Sequence, residues 1–133
     1  MRGQDGGHTG QVLSALGLGL VLTACGRRGG SADLAPGETP ELHRLIKHYA
    51  RVYDTPESLF HRVIERESDY NPGARNGPYY GLMQISLATA QSMGFSGPAE
   101  GLLDAETNLI YAGKYLRGAW LVSGGDQDQA IYW

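Results

Sequence analysis

Three carboxylates fall within five residues at Glu65-Arg66-Glu67-Ser68-Asp69. Carboxyl groups perform general acid and base work when their surroundings hold the right protonation state. Helical spacing tells these three apart. At about 100° per residue, Phe60 lies about 20° from Glu67, Val63 about 40° and Ile64 about 60°. Glu65 and Asp69 lie about 160° away, on the opposite side. Glu67 therefore continues an apolar stripe. Burial there would favour the neutral acid, which can hand a proton to a leaving group. The competing reading is an acid at a helix end that reaches water or bonds a backbone amide.

Other combinations of reactive residues are less promising. His43 and His48 stand about 140° apart on a helix and do not face one ligand. His61 and Glu65 are four residues apart on a face expected to be exposed, where a solvated pair is the ordinary outcome. No metal site and no organic cofactor are expected. Gly17 and Gly19 have no Gly-Lys-Ser/Thr after them, so they form no phosphate loop. The net charge of -3, with no stripe of lysine and arginine, leaves no electrostatic footprint for nucleic acid. One cysteine, Cys25, excludes an intrachain disulfide.

The elements that must carry Glu67 are legible from their ends. Thr39-Pro40-Glu41 opens a helix with a capping hydroxyl, a proline at the first helical position and an acid in the first turn. Leu42, Leu45, Ile46 and Tyr49 follow at helical spacing. Thr55-Pro56-Glu57 repeats that opening. The second helix carries Leu59, Phe60, Val63 and Ile64 on one face and is broken by Asn71-Pro72-Gly73. Asn76-Gly77-Pro78 signals a turn, within an irregular loop or a small two-stranded ribbon from Ala74 to Ile85. Ser86 caps a short helix ended by Gly94. Asp104 caps a longer one with Leu109, Ile110, Tyr115, Leu116 and Trp120, ended by Gly124-Gly125, and a last helix begins near Asp126. The fold class is mainly α, with a small irregular β/loop segment.

The first part of the chain reads as an address. Val12 to Leu22 is an apolar run that fits a signal-peptide core and falls short of the roughly twenty residues of a spanning helix. Leu22-Thr23-Ala24-Cys25 follows and resembles the lipobox of bacterial lipoproteins, in which the chain is cut before the cysteine and the cysteine is acylated. That resemblance implies a signal peptide over 1–24, lipidation at Cys25 and anchorage to a membrane surface. Gly26 after the cysteine is not the aspartate of inner-membrane retention, which favours the outer membrane. The stretch to Thr39 is rich in Gly, Pro, Ser and charge, a flexible tether over 25–39. The folded domain is expected over 40–133.

Within that domain, Glu67-Ser68, Asn71-Pro72, Gly81-Leu82-Met83-Gln84-Ile85, Thr89-Ala90, Leu103-Asp104, Asn108, Gly113 and Tyr115-Leu116 occur in this order. The combination resembles the lytic transglycosylase domain, the lysozyme-like family of murein transglycosylases. It covers about Leu59 to Leu116. The resemblance implies a lysozyme-like (α+β) fold and action on peptidoglycan glycan strands. Glu67 sits where the family's catalytic acid/base sits. Ser68, Met83 and Gln84 resemble substrate-cleft residues, and Asn76 holds the loop position of a polar residue near the reacting sugar. Asn108 and Tyr115 resemble helix positions of structural character. Of the aromatics Tyr79, Tyr80, Trp120 and Trp133, Tyr80 beside Gly81-Leu82-Met83-Gln84 is expected to stack on sugar. The family's final motif, Ala-Tyr-Asn-Ala-Gly or a variant, falls by spacing just beyond Trp133, so the domain is expected to be truncated at its C-terminus.

The chemistry implied by the resemblance needs one carboxyl rather than the pair of most glycosidases. Glu67 protonates the oxygen between N-acetylmuramic acid and N-acetylglucosamine. The sugar's acetamido group stabilises the cationic centre. Glu67 then takes the C6 hydroxyl proton, and that oxygen closes onto C1 as a 1,6-anhydro ring. The alternatives are a hydrolytic muramidase on the same fold and a non-catalytic peptidoglycan-binding lipoprotein. The implied location is the periplasmic side of a bacterial envelope. Oligomeric state is not legible from the sequence.

Overall fold

Helix α1, Pro40–Val52, begins as its sequence dictates: the Thr39 hydroxyl accepts the Leu42 N–H at 3.1 Å, and Pro40 opens the first turn. The computed structural model describes residues 33–132. Pro36 starts a compact unit that runs to the C-terminal end of the described residues. Residues 36–39, expected to belong to a tether, are part of this unit. Glu38 is buried and its carboxylate sits 3.1 Å from His43 Nδ1, which ties Pro36–Thr39 to the domain. The expected signal peptide and the expected lipidation site at Cys25 lie outside the described residues.

Helix α2, Glu57–Ser68, starts without the expected cap. The Thr55 hydroxyl donates to the Tyr53 carbonyl instead, and Pro56 occupies the capping position with no side-chain bond. The helix also ends earlier than the Asn-Pro-Gly signal. Asp69 and Tyr70 both take left-handed backbone, with φ of 51° and 63°. Two such residues in succession cannot continue a right-handed helix. Glu67 is thereby placed in the last turn of α2.

A three-stranded antiparallel ribbon follows: β1 Arg75–Asn76, β2 Tyr79–Tyr80 and β3 Ile85–Ser86. Gly77, with φ 57°, lets the chain reverse between β1 and β2. The sequence pattern implies an irregular loop or a two-stranded ribbon. The third strand is added because Gly81-Leu82-Met83-Gln84 turns tightly enough to bring Ile85 back onto Tyr80. Helix α3, Leu87–Ser92, is capped by Ser86, and a 3-10 turn spans Ala99–Leu103. Helix α4, Ala105–Val122, is capped by the Asp104 carboxylate, and α5, Gln127–Ala130, by Asp126. Among the described residues no helix is long and apolar enough to cross a membrane.

Helix α4 is the centre of the packing, against α1, the 3-10 turn, α3 and α5. Ile46, Leu59, Phe60, Ile64, Leu82, Leu102 and Leu109 are fully buried around it. Each contributes about 1.5–3 kcal/mol of burial. The buried side of α4 is Asn108, Leu109, Ala112, Gly113, Leu116 and Ala119, whereas Tyr115 is exposed. Gly113 is needed there: a Cβ would press on the rings of Tyr53 and Phe60 at 3.0–3.1 Å. Tyr49 closes α1 onto α4 by donating to Glu106 at 2.8 Å. Burial, together with that bond, pushes the Tyr49 hydroxyl up to about 12.

Candidate active site

Glu67 opens onto a groove of about 530 Å³ between α2, the ribbon, α4 and the chain around α5. Val63 and Arg66 border it on the α2 side, Tyr79, Met83 and Gln84 on the ribbon side, and Tyr115 and Leu116 on α4. Among the described residues that line it, Glu67 is the one acid. Glu65 and Asp69 are exposed elsewhere, as helical phase requires.

The expected burial of Glu67 is not observed. Its side chain is 35% exposed, and its Oε1 lies 3.5 Å from Arg66 Nε. The stripe is dry only deeper along α2, at Phe60 and Ile64, while Val63 and Glu67 rise to the groove. Position in the last turn leaves the carboxyl at the groove wall, open to whatever fills the groove.

The loop that lines the groove with Glu67 is held by Asn108. This side chain is completely buried, accepts the Met83 N–H at 2.9 Å and donates to the Tyr80 and Leu102 carbonyls, both at 2.9 Å. Buried loop backbone needs such partners, because unpaired peptide groups are costly away from water. Gly81 passes so close that a Cβ would run into the Asn108 amide and the Leu102 carbonyl, and its φ is 81°. Gln84 has φ 54°, and its Nε2 donates to the Gly81 and Ala74 carbonyls at 2.9 and 3.1 Å. The turn is thus fixed from both ends before any ligand arrives.

The remaining expected site residues divide. Met83 and Gln84 line the groove with Glu67. Ser68 does not: its hydroxyl is spent on the Ile64 carbonyl at 3.2 Å. Asn76 is exposed at the β1–β2 turn, on the Tyr79 face of the ribbon but outside the groove lining. Tyr80, expected to stack on sugar, does not line the groove. It is 8% exposed and lies beneath the Arg75 guanidinium, 4.4 Å from the ring centre, while Tyr79 faces the groove. Adjacent strand residues point to opposite faces, so only one of the pair can line the groove. Arg66, Ser86, Thr89 and Ile131 also line the groove, though no sequence pattern marks them for it. Ser86 is the cross-strand partner of Tyr79, a signal that appears only once the register is known. Tyr132 lines the same groove, with the Arg66 guanidinium 5.4 Å from its ring.

Helix α5 forms part of this wall and is fastened to α2. Arg62 pairs with Asp128 at 2.7 Å, and the Gln127 amide donates to Ser58 at 2.9 Å.

Residues 44–132 match the family model of the transglycosylase SLT domain. The chain belongs to this family. The SLT match covers every described groove residue, from Val63 to Tyr132. The mainly helical fold with its small antiparallel ribbon is the lysozyme-like fold of SLT domains. The family gives a function of the lytic transglycosylase type, directed at peptidoglycan.

Proposed function

We propose that this SLT domain cleaves the bond between N-acetylmuramic acid and N-acetylglucosamine with Glu67 as its single acid/base, leaving 1,6-anhydro ends. The observation that carries this reading is that Glu67 is the one carboxyl among the described residues lining the groove. A hydrolase with two carboxylates needs a second acid facing the first across the bond. Without one, the sugar's acetamido group supplies the stabilisation and its C6 hydroxyl supplies the nucleophile. Glu67 gives a proton to the leaving oxygen and recovers one from that hydroxyl. A glycan strand in the groove displaces water around the carboxyl, and removal from water favours the neutral form of an acid. Tyr79 and Tyr115 offer ring surface to sugar faces, and Met83 an apolar floor.

The test is product analysis after digestion of purified peptidoglycan. Anhydro-terminated muropeptides from the wild type, and their loss in Glu67→Gln, support the proposal. Reducing ends would make the enzyme a muramidase, and equal behaviour of the two proteins would make the domain a binding module.

The Leu22-Thr23-Ala24-Cys25 sequence supports placing the enzyme on the periplasmic side of the envelope, acylated at Cys25, with the outer membrane as the favoured anchor. Cys25→Ser is then expected to move the protein from the membrane fraction to the soluble fraction. A wild-type protein that is already soluble would remove this part of the proposal.

A further inference from the structure

Glu38, His43 and His61 meet on the side of α1 and α2 where the chain enters the domain. One donor atom from each lies within 4.8 Å of the others. The Glu38 side chain is 1% exposed. Both imidazoles turn the same atom toward the same carboxylate oxygen: His43 Nδ1 at 3.1 Å and His61 Nδ1 at 3.8 Å from Glu38 Oε1. The rings lie 5.9 Å apart between centres.

We propose that Glu38, His43 and His61 form a binding site for a zinc-type divalent cation. Two imidazoles and one carboxylate suit such an ion, which binds nitrogen and oxygen at about 2.0–2.2 Å and takes four ligands. Ligand atoms around a tetrahedral ion of that size stand about 3.3 Å apart. The His43–Glu38 separation already meets this, and the others, all within 4.8 Å, would have to close by side-chain rotation. His61 has the outer partner that metal-bound histidines need. Its Nε2 faces Glu57 Oε2 at 3.5 Å, which favours the proton on Nε2 and leaves Nδ1 for the ion. The Tyr70 hydroxyl, 2.8 Å from His61 Nδ1, gives up that nitrogen when the ion enters. The side chains of His43 and His61 are 28% and 22% exposed, which leaves an outward opening for the ion and a fourth, water ligand. The ion would join the turn before α1 to both helices. Spacing along one helix cannot find this site, because its three members come from a turn and two different helices. The pair His61–Glu65 expected to be solvated is replaced by His61 facing Glu57, Glu38 and Tyr70.

The test uses the full, unprocessed chain, with residues 1–24 retained and the Cys25 thiol alkylated, stripped of metal and titrated near neutral pH. Adding Zn2+ alone is expected to shift the imidazole resonances of His43 and His61 and leave those of His8 and His48 in place. Co2+ should give the visible bands of a four-coordinate ion. His43→Ala and Glu38→Gln should each weaken Zn2+ binding by roughly tenfold or more. Unmoved His43 and His61 resonances overturn the site, as does Zn2+ affinity unchanged in His43→Ala. Because the resonances are read in the wild type, a variant that fails to fold leaves the test intact.

Discussion

Asn108 Oδ1 accepts the Met83 N–H at 2.9 Å, so one buried side chain of α4 holds the loop that lines the same groove as Glu67. The same amide satisfies two carbonyls, at Tyr80 and Leu102. Asn108→Ala strands three buried backbone groups. It is expected to destabilise the domain by about 2–4 kcal/mol, read as a lowered midpoint of urea unfolding. Asn108→Asp keeps the acceptor but loses the donor, and is expected to be nearly as damaging. A shift under about 0.5 kcal/mol for the alanine variant would refute this role of the latch.

Gly81 lies under that latch with φ 81° and no room for a Cβ. Gly81→Ala is therefore expected to cost about 2 kcal/mol or more, from positive φ together with collision. Gly77→Ala has positive φ but open space around it. It should cost about 1 kcal/mol, a contrast that separates conformational strain from crowding.

Removal of the Glu67 carboxyl should separate activity from stability. The group is partly exposed at a helix end, so Glu67→Gln is expected to change unfolding stability by less than about 0.5 kcal/mol. The rate of strand cleavage is expected to fall by about 10²–10⁴, the usual contribution of a general acid or base. Retained cleavage in a folded Glu67→Gln protein would transfer the chemistry to another group.

Tyr79 and Tyr80 offer a direct check on the ribbon's two faces. Tyr79→Ala should weaken binding of glycan fragments and raise KM while leaving the unfolding midpoint nearly unchanged. Tyr80→Ala should instead lose about 2–4 kcal/mol of stability, because that ring is buried. The opposite pattern would put Tyr80 in the cleft.

Asp104 links stability to pH. Its carboxylate accepts the Thr107 N–H and hydroxyl, and these bonds hold its pKa below the ordinary value. A lowered folded-state pKa contributes stability above the unfolded value, lost as pH falls through the folded one. Asp104→Ala is expected to cost about 1 kcal/mol near neutral pH, the usual worth of a helix cap. The difference from wild type should shrink as the medium is acidified below the ordinary aspartate range. A difference that stays constant into acid would assign the effect to something other than the ionised cap.

The sequence by itself determined the helices and which acid stands apart. Thr39-Pro40, Ser86, Asp104 and Asp126 announce helix starts because a capping group bonds backbone N–H groups within three residues, a local event. Glu67 was separable from Glu65 and Asp69 because helical phase is also local. The start of α2 departs from its sequence signal because the Thr55 hydroxyl can bond in either direction, and in the fold it donates to the Tyr53 carbonyl. The core side of α4 was harder to read, because close approach to Tyr53 and Phe60 requires Gly113 and its small neighbours rather than a stripe of large residues. Only tertiary structure decided that Glu67 stays partly wet, that Tyr79 rather than Tyr80 faces the groove, and that Glu38, His43 and His61 converge. Each depends on strand register or on two helices side by side, where contacts join residues far apart in the chain and no short-range pattern records the outcome.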